Sequence, residues 1–332
     1  MSGVRRIILL VTSPRMPAGL LTAAAWDAVR AHPVLTEAES ELSAAVRAAG
    51  GTVSVVPADA ATVLAAAAEH GTVVWLAGPG GDEELARDLG LRLAREPGLG
   101  ELELMYGSWD PPGARLLDAV AVMDRLVSPG GDPWKRAQTH ATLAKYLLEE
   151  CYEAYDAIEA GDLTALREEL GDVLMQVAFH SVVASERTDD TAFTIDDVAA
   201  GIVDKLVRRH PHVFADVAVS GADEVNANWE QIKAAERAAK AQAEGGGSEP
   251  SVLDGVPMGQ PALSLAAQLW RRASREGVPD DLAPAGDGIG ARLFALVREA
   301  REQGVDPESE LRAVSRVFRD RVQAWERQRN AG

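Results

Sequence analysis

Apolar positions along this chain change character near residue 105. Before it they come as short continuous runs: Ile7-Ile8-Leu9-Leu10-Val11, Thr52-Val53-Ser54-Val55-Val56, Thr72-Val73-Val74-Trp75-Leu76-Ala77 and, more weakly, Glu101-Leu102-Glu103-Leu104. Runs of this length with little polar interruption predict strands covered on both faces. Helical patterns lie between them: one reaching Ala49 with a break near Pro33, then Ala58 to His70, then Glu83 to Arg95. Strands alternating with helices predict a small, parallel, doubly wound α/β domain over residues 1–105.

After that point the apolar period lengthens to that of helices. Leu116 to Leu126 is one. The stretch from Thr139 to Glu186 holds two more, on either side of a break at Gly161-Asp162. The first carries an apolar stripe of Leu147, Cys151, Ala154 and Ile158. The second carries Leu166, Leu170, Val173, Leu174 and Val177. So short a break predicts antiparallel neighbours that pack these stripes together. Thr194, with Asp197 three residues on, opens a third helix that stops before Pro211. Residues 223–243 form a fourth. An all-α module over 106–243 is therefore expected. Glu244 to Pro250 reads as a flexible linker in a connecting stretch 244–262, with Val252 to Pro261 extended. Helices ending near Arg275, then Leu293 to Glu302 and Ser309 to Arg327, make a last all-α segment over 263–332.

Charge narrows the function classes. The 332 residues include 51 acidic and 33 basic ones, for a net charge of −18. That balance argues against a protein that grips a nucleic acid polymer or an anionic membrane. It leaves room for a nucleotide held by a metal and a local basic patch. The single cysteine, Cys151, excludes a disulfide within the chain and fits a reducing cytoplasm. On its apolar stripe it is expected to be small and buried. No apolar run reaches the roughly 18 residues of a membrane span. The opening MSGVRRIILLVTSPRMP reads as a buried first strand rather than a signal peptide.

The candidate chemistry sits on the two helices around Gly161. Residues three or four apart share a helical face. Glu149, Glu150 and Glu153 therefore cluster on the first helix, and Glu169 and Asp172 on the second. Brought together, these carboxylates repel unless a cation offsets them. Mg²⁺ prefers such hard oxygen ligands and often bridges to phosphates. Lys205, Arg208 and Arg209 make a basic face suited either to triphosphate oxygens or to salt bridges with neighbouring helices. Trp229 and Lys233 lie four apart, either to hold a base beside a phosphate or as part of a surface helix. Trp134 either stacks on a base or anchors its loop. Gly78-Pro79-Gly80-Gly81 follows a strand but lacks the pattern of a phosphate loop, and reads as a tight turn. His180 reads as a core histidine, and His210 and His212 as helix-end and loop residues.

Glu149-Glu150-Cys151-Tyr152-Glu153 followed by Glu169-Leu170-Gly171-Asp172 resembles the EExxE…ExxD signature of the all-α nucleoside triphosphate pyrophosphohydrolases. Gln138-Thr139-His140 upstream and Arg208-Arg209-His210-Pro211-His212-Val213-Phe214 downstream resemble the MazG branch of that superfamily. The resemblance runs from about Ser128 to Arg237. It departs at Asp132 and Lys135, where relatives often read GCPWD. It implies a Mg²⁺-dependent enzyme that converts a nucleoside triphosphate and water to the monophosphate and pyrophosphate. Glu150, Glu153, Glu169 and Asp172 would hold the metal. Glu149 would assist as a ligand or by orienting water. Lys205, Arg208 and Arg209 would contact phosphates, and Trp134, Trp229 and Lys233 the rest of the nucleotide. It also implies a homodimer that completes a helical bundle. A non-catalytic protein sensing nucleotide or metal through the same hairpin is the alternative.

Residues 1–105 resemble the end of the tetrapyrrole methylase domain fused to MazG modules in some bacteria. They are too short for the whole domain, and binding of S-adenosylmethionine is not expected. The last segment reads as a worn copy of the helical module. Leu170-Gly171-Asp172-Val173-Leu174-Met175 compares with Ile289-Gly290-Ala291-Arg292-Leu293-Phe294, with Gly288 and Ala291 where the acids stand.

Overall fold

Five short apolar segments become five parallel strands in the computed structural model. It describes residues 5–78, 81–215 and 251–330, and between them 219, 221, 224, 225, 228, 229, 231–233, 235, 236 and 239. The linker expected over 244–250, Pro79 and Gly80 of the glycine turn, and most of the helix expected over 223–243 lie outside the described residues. The chain divides into two compact units, Met1–Ile202 and Val203–Gly332.

The first unit opens with β1 (Arg6–Val11), α1 (Ala23–Ala31), β2 (Val34–Thr36), α2 (Glu41–Ala48) and β3 (Val53–Val55). It continues through α3 (Ala60–His70), β4 (Thr72–Leu76), α4 (Glu83–Arg95) and β5 (Glu101–Tyr106). The strands lie in the order β3-β2-β4-β1-β5 and all pair in parallel. Because successive side chains point to opposite faces, Ile7, Val73 and Trp75 meet α3 and α4 on one side. Ile8, Leu10, Val74 and Leu76 meet α1 and α2 on the other. Fully burying one such aliphatic side chain contributes roughly 1.5–3 kcal/mol. Helices therefore cover both faces, as the doubly wound pattern predicts.

One strand was not expected. Val34-Leu35-Thr36 interrupts the helical pattern reaching Ala49 and pairs with both β3 and β4. All three residues are buried. A three-residue strand is too short to print a period of two, and only its place inside the sheet defines it.

The helical part of the first unit comprises α5 (Arg115–Val127), the short α6 (Pro133–Arg136), α7 (His140–Ala160) and α8 (Leu163–Ser185). Thr139 and Thr142 form a reciprocal cap that starts α7. Gly161 ends it with φ of 68°, a left-handed conformation that favours glycine. Asp162 then caps α8 by accepting from Thr164 and Ala165 N–H. Met123 and Val127 of α5, Leu143 of α7 and Ala178 and Phe179 of α8 form a third core, separate from the two on the sheet. The loop after β1 ties to α5, since Arg15 Nη2 donates to Asp118 at 2.6 Å and Arg15 also pairs with Asp110.

The stripes expected between α7 and α8 are only partly the buried ones. Ala154 is buried, but Cys151, Ile158, Leu170 and Leu174 are exposed. The buried positions of α8 are instead Gln176, Ala178, Phe179, Ser181 and Ala184. Apolar residues surround much of each helix, so sequence periodicity does not say which side faces its neighbour. The expectation of a buried Cys151 fails for that reason.

α9 (Ile195–Arg209) starts with the expected cap: Thr194 N–H donates to Asp197 at 2.8 Å, and Asp197 N–H to Thr194 Oγ1 at 3.3 Å. α10 (Pro211–Phe214) follows after the break at His210. The second unit also contains α11 (Ala262–Arg275), α12 (Ile289–Glu302) and α13 (Pro307–Asn330). Trp270 of α11 meets Phe294 of α12 edge-on, with centroids 6.3 Å apart. The segment expected to be extended before Pro261 is turns, with Val256 buried. No described helix is long and apolar enough to cross a membrane.

Candidate active site

Antiparallel placement of α7 and α8 brings Glu150 opposite Glu169 and Asp172. Each of the three offers an oxygen, and these oxygens all lie within 4.8 Å of one another. All three residues are half-buried. Glu153 lies within hydrogen-bond reach of Glu169. Glu149 is exposed on the same turn as Glu150. Burial pushes the Glu150 carboxyl above its ordinary range, and the charges of Asp172, Glu153, Glu149 and Glu169 push it the same way. Burial likewise raises Glu169, followed by the charges of Glu153 and Asp172.

A cluster of acids whose burial and mutual repulsion all oppose ionisation is short of positive charge. A hard divalent cation supplies that charge and takes carboxylate oxygens as ligands. The donor set therefore fits such an ion. Of the four carboxylates expected to hold the metal, the structure brings Glu150, Glu169 and Asp172 together. Glu153 is not one of the trio and stands beside it.

The basic residues form a second cluster, in the second unit. Lys205, Arg208 and Arg209 share the last turns of α9. Arg208 Nε donates to Glu236 Oε1 at 2.7 Å, and Arg209 Nη2 to Glu236 Oε2 at 2.6 Å. The Arg209 contact holds the Glu236 carboxyl down at about 2, with burial opposing it and Arg208 assisting. Lys233 Nζ lies 4.0 Å from the Trp229 ring centroid, and the Arg209 guanidinium carbon 5.8 Å from it. Trp229, Lys233 and both arginines thus form one constellation. The salt-bridge alternative for Arg208 and Arg209 is realised through Glu236.

A model of the MazG nucleotide pyrophosphohydrolase domain matches residues 138–214, from the start of α7 through α10. An uncharacterised 26.1 kDa protein of Streptomyces cacaoi is 48% identical over 75% of this chain and 96% of its own length. A nucleoside triphosphate pyrophosphohydrolase of Mycolicibacterium smegmatis is 45% identical over 65% of this chain and 60% of its own length. A Thermotoga maritima protein named nucleoside triphosphate pyrophosphohydrolase/pyrophosphatase MazG is 39% identical over 63% of this chain and 84% of its own length. The chain belongs to the MazG nucleotide pyrophosphohydrolase family. It is thereby a member of a family of hydrolases, although it spans only 60% of the mycobacterial relative.

Thr142, Lys145 and Tyr146 of α7, with Trp134 and Gln138 ahead of it, line an open cleft of about 410 Å³. Trp134 is half-exposed and meets Tyr146 edge-on, with centroids 5.9 Å apart. The departures at Asp132 and Lys135 have a structural account. Asp132 caps α6, accepting from Lys135 N–H at 2.8 Å. Lys135 Nζ lies 5.1 Å from the Phe179 ring centroid. The preceding Gly131 is required, since a Cβ there would collide with the carbonyl oxygens of Arg125 and Leu126.

Sequence reasoning missed the link between His140 and His180. Their Nδ1 atoms are 2.8 Å apart, so one ring donates to the other. The rings are parallel within 1° with centroids 5.1 Å apart, which sets them edge to edge. Burial lowers His180, and the charge of His140 lowers it further. The pair ties the start of α7 to the end of α8. A histidine at each end of an antiparallel hairpin was the available signal. Glu236 was also missed, because a single glutamate in so acidic a chain carries no signal of its own.

Proposed function

We propose that this chain hydrolyses nucleoside triphosphates to nucleoside monophosphate and pyrophosphate at the α7–α8 hairpin. The observation that carries the reading is the carboxylate trio Glu150, Glu169 and Asp172, poor in positive charge, inside the matched MazG domain. Mg²⁺ is the ion best suited to such oxygens when the substrate is a polyphosphate. When bound, the ion supplies Lewis-acid stabilisation of phosphate oxygens and makes water nucleophilic near neutral pH. Glu150, Glu169 and Asp172 hold it, with Glu153 as the fourth carboxylate. Glu149 assists as a further ligand or by orienting the attacking water. Water adds at the α-phosphorus, the bond from that phosphorus to the bridging oxygen breaks, and pyrophosphate leaves.

Lys205, Arg208 and Arg209 neutralise charge on the polyphosphate. Trp229 and Lys233 hold the remainder of the nucleotide, and Trp134 either contacts it or braces the loop before α7. Exposed Leu148, Tyr152, Leu170 and Leu174, together with an α9 that buries none of its residues, support a homodimer that completes a helical bundle. A module over 106–243 would then carry the chemistry, while 1–105 and the degenerate copy in 263–332 contribute none. The enzyme would act on the cytoplasmic nucleotide pool, in housekeeping or under stress.

The test is incubation of the purified chain with mixed nucleoside triphosphates and Mg²⁺, followed by chromatography. Monophosphate and pyrophosphate in equal amounts are expected, and no turnover after chelation. Diphosphate as the first product would overturn the bond assignment, and absence of any product would favour a nucleotide sensor.

A further inference from the structure

Resting on the reading of Arg208 and Arg209 as phosphate contacts, we propose that Glu236 is the positioning residue that holds both guanidinium groups ready for a pyrophosphate-containing ligand. Adjacent arginines on one helix repel, and each long side chain has many rotamers to lose on binding. One carboxylate placed between them removes both difficulties.

The geometry divides the donors. Glu236 takes Nε of Arg208 at 2.7 Å, and Nε and Nη2 of Arg209 at 3.1 and 2.6 Å. Both Nη groups of Arg208 and Nη1 of Arg209 lie outside these bonds. A guanidinium anchored by one edge presents its remaining N–H groups in a fixed plane, which suits phosphate oxygens.

Burial supports a fixed arrangement. The Glu236 and Arg209 side chains are 23% and 20% exposed, while Arg208 is 54% exposed. Arg209 is further held against Trp229, whose ring also carries Lys233. Two arginines on one carboxylate leave net positive charge, so Glu236 orders the pair without cancelling it. A carboxylate that simply competed with phosphate would have no need of a two-oxygen bridge between two arginines.

The test compares the full-length wild type with Glu236→Gln and Glu236→Asp. It measures KM and kcat for nucleoside triphosphate hydrolysis, and calorimetric affinity for inorganic pyrophosphate with Mg²⁺ present. For Glu236→Gln, KM and the pyrophosphate Kd are expected to rise about tenfold, as when an orienting partner is lost. The kcat should change little, because a contact made equally in the bound substrate and the transition state is uniform binding. Glu236→Asp should recover part of the loss. In an Arg208→Ala/Arg209→Ala background, Glu236→Gln should add nothing further.

Unchanged KM and pyrophosphate affinity would overturn the proposal. So would tighter binding, which would make Glu236 a competitor. A fall in kcat that parallels the folded fraction, with KM constant, would leave Glu236 a purely structural residue and overturn it too. An active wild type with no effect of Glu236→Gln sinks this inference alone. A wild type that binds pyrophosphate through Glu236 but hydrolyses nothing sinks the catalytic reading alone.

Discussion

The acidic hairpin and the basic end of α9 solve opposite charge problems in opposite ways. In the hairpin, Glu150, Glu169 and Asp172 crowd together, and Glu150 and Glu169 are both pushed above their ordinary range. At the end of α9, Arg208 and Arg209 crowd together and meet Glu236, whose carboxyl falls to about 2. The same fold supplies a counter-charge in one place and withholds it in the other. Asp118 makes the contrast sharper, because it lies in the same unit as the hairpin. Arg15 holds its carboxyl below the ordinary range. Asp118 and Glu236 each receive arginines. The hairpin trio has no such partner among the described residues.

The largest expected effect breaks the hairpin side of this contrast. Glu150→Gln or Asp172→Asn should lower turnover by roughly two orders of magnitude or more, since several kcal/mol of charge stabilisation go with the ion. Helical content by circular dichroism should stay near wild type. Near-normal turnover in both variants would refute the carboxylate cradle. A smaller effect, about tenfold, is expected of Glu149→Gln, below the roughly 10²–10⁴-fold of a general acid or base, because this residue only orients water. A loss as large as that of Glu150→Gln would instead make Glu149 an obligatory ligand.

The basic side is sharpened by pH. The folded carboxyl of Glu236 sits at about 2, below its ordinary 4.5. Its contribution to stability is therefore present above 4.5 and is lost as pH falls through 2. The stability gap between wild type and Glu236→Gln, measured by urea unfolding, should be constant above pH 5 and shrink below 4.5. A gap that stays flat down to pH 2.5 would contradict this account of the bridge.

The smallest effect concerns the C-terminal segment. Asp280 and Asp281 precede α12 on a short turn, and Asp280 already pairs with Arg298 at 3.1 Å. No α-helix precedes α12 between Glu276 and Gly288, so the acids that face α8 have no counterpart there. Asp280→Asn/Asp281→Asn should leave turnover within twofold of wild type. A tenfold loss would show that this segment shares in the chemistry.

Much was legible from one sequence. Continuous apolar runs marked β1 and β4, because a strand covered on both faces must be apolar at every position. Gly161 marked the hairpin break, because glycine adopts a left-handed φ at little steric cost. Glu-x-x-Glu and Glu-x-x-Asp marked the acids, because helical spacing puts them on one face. β2 was not legible: its three residues have no period of their own and depend on β3 and β4 for hydrogen bonds. The exposed side of α7 and α8 was not legible either, since Cys151 and Leu170 look apolar in sequence whether or not a neighbour covers them.

The sequence by itself determined which residue types were available and at what local spacing. That was enough for the α/β pattern, the hairpin, its caps and its acid pairs, because all of these depend on contacts within a few residues. Only the tertiary structure decided which of those acids meet. It drew Glu150 to Glu169 and Asp172 and set Glu153 beside them. It also joined His140 to His180 and set Glu236 between two arginines 27 and 28 residues away in sequence. Such pairings are fixed by how helices pack, and a charge at one position carries no local mark of the partner that packing will bring to it.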